Sequence, residues 1–106
     1  MQHVMDTSGG SVAVEATEPV PGLRLFEAPQ DISPLSTYRW VLAHHEGHAL
    51  ASFVSSAAGE AAARAVAPLA DWTRSVMTVA TEISLGGHVK RLNAAIAAHG
   101  GQHPNA

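Results

Sequence analysis

A chain of 106 residues has the size of one domain, and 46% apolar against 14% charged residues places it outside the fibrous and highly charged disordered classes. Six Lys and Arg stand against nine Asp and Glu, a formal net charge of −3, which argues against a nucleic-acid partner because phosphate binding needs many cations. There is no cysteine, so disulfides, thiolate metal sites and cysteine nucleophiles are excluded.

No basic run followed by an apolar stretch opens the sequence. The alanine-rich segment 57–70 is broken by Gly59, Glu60, Arg64 and Pro68. Neither a secretory leader nor a spanning helix is expected, and the predicted setting is cytoplasmic with no membrane partner.

Residues 1–10 show no periodicity and end in Ser8-Gly9-Gly10, so they read as a flexible tail ahead of a single domain over 11–101. Val12–Ala16 and Leu23–Glu27 read as strands joined through Pro19, Pro21 and Gly22. Pro29–Ser36 reads as irregular, although Ser33-Pro34 also has the chemistry of a helix start.

The segment 38–54 carries the main ambiguity. As a hairpin, Tyr38–His44 and His48–Val54 are strands, and Gly47 supplies the positive φ of the turn. As a helix begun at Ser33-Pro34, Leu35, Tyr38, Val41, Leu42 and His45 share a face, and Gly47 costs about 1 kcal/mol inside it. Tyr38, Trp40, Val41 and Phe53 favour the hairpin.

Downstream the pattern turns helical. Ala57–Ala67 is a predicted helix capped by Ser55 or Ser56, with Ala58, Ala61, Ala62, Ala65, Val66 and Leu69 inward and Pro68 ending it. Asp71 is the expected cap of a second helix, whose stripe is Trp72, Val76, Val79, Ala80 and Ile83. Leu85-Gly86-Gly87 breaks it. A third helix covers His88–His99, with Val89, Leu92, Ala95 and Ile96 on one face and Gly100-Gly101 as its stop. Residues 102–106 read as frayed. The predicted fold is α+β: a small antiparallel sheet of two hairpins, packed on one face by two or three helices.

The unusual chemistry is histidine. His44, His45 and His48 fall within His44-His45-Glu46-Gly47-His48, and imidazoles this close form a candidate site for a divalent transition metal such as zinc, with Glu46, Asp71 or His88 as further ligands. The H-E-x-x-H spacing of zinc proteases is missed by one residue. No G-x-S-x-G elbow supports a serine hydrolase. The helix start after Gly86-Gly87, with His88 and Arg91, is a candidate site for a small anionic ligand. Tyr38, Trp40 and Trp72 fit a core, an interface or a ligand wall.

The leading expectation is a non-catalytic binding or assembly module of unknown ligand, a homo-oligomer in the form of a homodimer, joined through an edge strand or the Leu92/Ile96 face. The runner-up is a small metal-dependent enzyme or metal-binding protein built on the three clustered histidines.

Overall fold

The computed structural model describes residues 1–7, 10–28 and 37–102. Five strands come first: β1 (Gln2–Thr7), β2 (Gly10–Val20), β3 (Leu23–Glu27), β4 (Trp40–His44) and β5 (Ala49–Phe53). They form one antiparallel sheet in chain order, each strand beside its sequence neighbour. Three helices follow: α1 (Ser56–Val66), α2 (Val76–Leu85) and α3 (Val89–Ala98), with a 3₁₀ turn over Ala67–Leu69 after α1. The α+β class and the hairpin over residues 38–54 are therefore as read from the sequence. No described helix is long and apolar enough to cross a membrane.

The first strand was not legible. Gln2–Thr7 is paired along its whole length with β2, not a loose end. The long β2 serves two neighbours: its first half pairs with β1, and Ala16–Val20 pairs with β3. Register shifts between Thr17 and Val20, where Pro19 lacks the amide a regular ladder uses.

Register divides the side chains between two faces. Leu25 lies opposite Leu42, and Leu42 opposite Ala51, so these share the face that the helices cover. With Leu23, Phe53, Ala62, Ala63, Val66, Trp72, Val79, Ile83 and Ile96 they form the main core. Phe26, opposite Val41 and Ala16, belongs to the other face, where Val14, Ala16, Phe26 and Ala43 form a second buried cluster. There β1 lies close: His3 stacks on Phe26 with ring centroids 5.1 Å apart.

Local chemistry sets each helix end. Ser55 Oγ accepts the Ala58 amide at 3.2 Å and opens α1. The buried residues of α1 are Gly59, Ala62, Ala63 and Val66, whereas Ala65 is exposed. The inward stripe is thus rotated from the alanine pattern, because Gly59 seats the helix against Leu25: a Cβ at that position would stand 2.6 Å from Leu25 Cδ1.

The second helix starts later than its apolar stripe suggests. Ser75, not Asp71, is the cap, its Oγ accepting the Thr78 amide at 3.2 Å. Asp71 instead accepts the Thr73 amide and hydroxyl, a local turn that competes with capping and holds its carboxyl below the usual carboxylate range. Trp72 therefore precedes the helix, buried, with its indole N–H donating to the Val66 carbonyl at 3.0 Å. Gly100, at φ +72°, ends α3. Gln102 then exchanges two backbone hydrogen bonds with Ser52 of β5, at 2.8 and 2.9 Å. Ser33-Pro34, and the expected fraying over residues 103–106, lie outside the described residues.

Gly22, in the β2–β3 turn, has φ +90°, and a Cβ there would stand 2.1 Å from the Trp72 carbonyl oxygen. Gly22→Ala is expected to lower stability by about 3 kcal/mol, from backbone strain plus overpacking. Gly59→Ala meets the end of the buried Leu25 side chain, which must shift within the core, but regains about 1 kcal/mol of helix propensity, so its net loss is expected to be smaller, about 1–2 kcal/mol. Urea denaturation of the two variants checks this; equal losses would contradict it.

Candidate functional site

The β4–β5 turn is clasped onto the segment that leads into α2. Gly47 has φ +100°, and the turn closes through Gly47 N–H to the His44 carbonyl and His44 N–H to the His48 carbonyl, both at 2.8 Å. The His45 amide reaches the Gly22 carbonyl at 2.9 Å, tying in the β2–β3 turn.

His44 is fully buried at the end of β4. Its Nε2 lies 2.7 Å from the Arg74 carbonyl oxygen, and its Nδ1 lies 3.0 Å from the Glu46 amide. A carbonyl only accepts and a backbone amide only donates, so the partners assign the neutral tautomer with the proton on Nε2. His45 lies against it, ring centroids 4.1 Å apart, and its Nε2 points to the Thr73 and Arg74 carbonyls at 3.1 and 3.0 Å. Glu46 completes the clasp: Oε1 accepts the Val76 amide at 2.6 Å. That amide opens α2, where a carboxylate is favoured both as a hydrogen-bond acceptor and by the helix dipole.

Beside the clasp is a cleft of about 260 Å³ between β5, the α2 approach and α3. Its walls are mainly apolar: Leu50, Trp72, Val76, Val79, Ile83, Leu92 and Ile96, with Ala49 and Ala80. His44 lines it, and two exposed polar residues, His48 and Asn93, stand at its edge.

The histidine cluster is thus divided in its roles. His44 and His45 face the Thr73–Arg74 backbone, whereas His48 faces the cleft. His44 has both ring nitrogens engaged, and a metal would have to displace the Glu46 amide or the Arg74 carbonyl. Among the described residues no three His, Cys, Asp or Glu side chains are grouped to hold a metal ion.

At the other candidate site, His88 is the cap residue of α3 without a side-chain cap bond, and its ring folds over Gly86. Arg91 is exposed on the first turn of that helix. Of the surfaces expected to join copies, Ile96 is buried and shares the cleft with Leu92, and the β5 edge at Ser52 is occupied by Gln102. Trp72 is a wall of the cleft, and Trp40 packs against the main core.

Sequence reasoning missed two features. Glu46 acts as a long-range cap, 30 residues before the amide it accepts, and no local pattern announces such a bond. His3 is buried on Phe26, and among the described residues its Nε2 has no hydrogen-bond partner. No family model matches the chain, and no curated protein or solved structure is significantly similar to it.

Burial, opposed in part by the Arg74 carbonyl and Glu46 and helped by the neighbouring histidines, pushes the His44 pKa below the ordinary value of 6.5. Burial and the Arg24 charge do the same for His3. Between these lowered values and 6.5 the unfolded chain binds more protons than the native one, so stability rises with pH in that window. The urea midpoint is expected to lose no histidine contribution while pH stays above 6.5 and to decline as pH falls below it; a midpoint that rises from pH 6.5 to 5.5 would contradict the assignment. His44→Ala leaves the Glu46 amide without its acceptor, leaves the Arg74 carbonyl to His45 alone and opens a cavity, an expected loss of about 3 kcal/mol at pH 7.5 by the same assay.

Proposed function

We propose that this protein is a binding module, and that its cleft takes a small, mainly apolar molecule with one hydrogen-bonding end. The observation that carries this reading is the composition of the cleft: an apolar wall that includes Trp72, with His48 and Asn93 as exposed polar groups of its lining. Ligand sites generally combine apolar walls with a few polar groups that fix orientation. At about 260 Å³ the cleft falls just below the ordinary range, ~300–1,000 Å³, which suits a small aromatic or short alkyl compound rather than a nucleotide. The net charge of −3 gives no general attraction for anions, so the affinity is assigned to apolar contact.

Trp72 provides the test. In a Trp40→Phe background it is the sole tryptophan, and titration with N-phenyl-1-naphthylamine, a neutral apolar probe with one N–H, is expected to quench it saturably at one site per chain. Ala80→Phe places a ring at the cleft wall on an exposed helix position and is expected to weaken the probe at least tenfold, with the far-UV circular dichroism unchanged. No saturable quenching, or the same affinity in the Ala80→Phe variant, would contradict the reading.

A further inference from the structure

We propose that the histidine turn is a proton-operated latch on this cleft, in which Glu46 exchanges the Val76 amide for the protonated ring of His44. The regulatory part rests on the cleft being a binding site; the latch itself rests on the bonding of the turn.

The geometry supplies both positions of the exchange. In the neutral state His44 Nδ1 is the acceptor for the Glu46 amide, 3.0 Å away. The only ring nitrogen able to take a further proton is therefore Nδ1, and a proton there would set two donors head to head. The nearby oxygen able to relieve that conflict is Glu46 Oε1, 3.9 Å from Nδ1. That oxygen now holds the Val76 amide at 2.6 Å. Turning the carboxylate toward the imidazolium leaves the first amide of α2 without its acceptor. Because His44, Trp72 and Val76 all line the cleft, release at Val76 loosens the cleft wall.

The surrounding charges leave Glu46 as the partner for the proton. His45 and His48 on the same turn oppose a second positive charge. From the α2 approach, the Arg74 guanidinium is already paired, 3.4 Å from Asp71 and 3.2 Å from Glu82, so both of those carboxylates are engaged elsewhere. From β1 the Val4 carbonyl lies near Gly47, the β2–β3 turn brings the Gly22 carbonyl to the His45 amide, and α3 adds the uncharged Asn93 to the cleft lining. Linkage then makes the coupling reciprocal: a ligand that needs the closed wall lowers the proton affinity of His44 further.

The test is an NMR pH titration of the full chain from pH 7.5 to 5.0, following the His44 ring and the Glu46 and Val76 amides, with circular dichroism confirming that the fold persists. The expected result is one shared midpoint below 6.5 for all three, and faster hydrogen exchange at Val76 on the acid side. In the Glu46→Gln variant, whose change lies on an exposed side chain, the Val76 response is expected to disappear while His44 still titrates. N-phenyl-1-naphthylamine should bind at least tenfold more weakly at pH 5.0 than at 7.5. A Val76 amide that stays constant while His44 titrates, or loss of the whole fold at the His44 midpoint, would overturn the latch. A shared midpoint with no probe bound at either pH would support the latch and overturn the cleft reading instead.

Discussion

Everything that positions the cleft depends on one buried imidazole with its proton held on a specified nitrogen. His44 donates from Nε2 to the Arg74 carbonyl and accepts the Glu46 amide at Nδ1, so it ties the β4–β5 turn to the Thr73–Val76 segment from a buried position, beside the bonds of His45 and Glu46 to the same segment. The same segment is gripped from a second direction by Gly22, whose missing Cβ lets the β2–β3 turn close on the Trp72 backbone. Three pieces of chain distant in sequence are thereby held at one corner, and the cleft opens beside it. Much of the surrounding stability is apolar area in the main core, but apolar contact is not directional. The orientation of the α2 start is supplied by hydrogen bonds.

The corner also explains the two departures in the α1–α2 connection. Apolar periodicity assigns Trp72 to the helix because it falls four residues before Val76. The chain instead uses Asp71 to bind Thr73, turns, and begins the helix at Ser75, which leaves the Thr73 and Arg74 carbonyls free to receive His45 and His44. A helix begun at Asp71 would bond those carbonyls to amides one turn on. The late start and the histidine clasp are therefore one structural choice, made by tertiary contacts that outweigh the local stripe.

Legibility in the sequence followed the kind of signal involved. Gly47 between two runs rich in Trp, Val, Leu and Phe announced its turn, because positive φ and β preference are properties of residues close together. The stops at Gly86-Gly87 and Gly100 were readable for the same reason. Gln2–Thr7 was not readable: it has no apolar alternation, with Gln2 and Val4 exposed and the inward His3 polar by type. Its strand character comes from the partner it lies beside. At the site, the grouping of His44, His45 and His48 was visible and their proximity holds, but sequence alone does not say that two of the rings turn to a backbone segment about 30 residues away. Spacing reports which side chains are near one another, whereas hydrogen-bond partners from other elements decide what those side chains do.

The most direct measurement is the tautomer of His44 itself, read at pH 7.5 from the two-bond ¹⁵N–¹H correlations of the imidazole. The clasp requires a neutral ring with Nε2 protonated and Nδ1 bearing the lone pair. A ring protonated on Nδ1, one averaging between the two tautomers, or an imidazolium at that pH would contradict the bonding from which the site, and its response to acid, are derived.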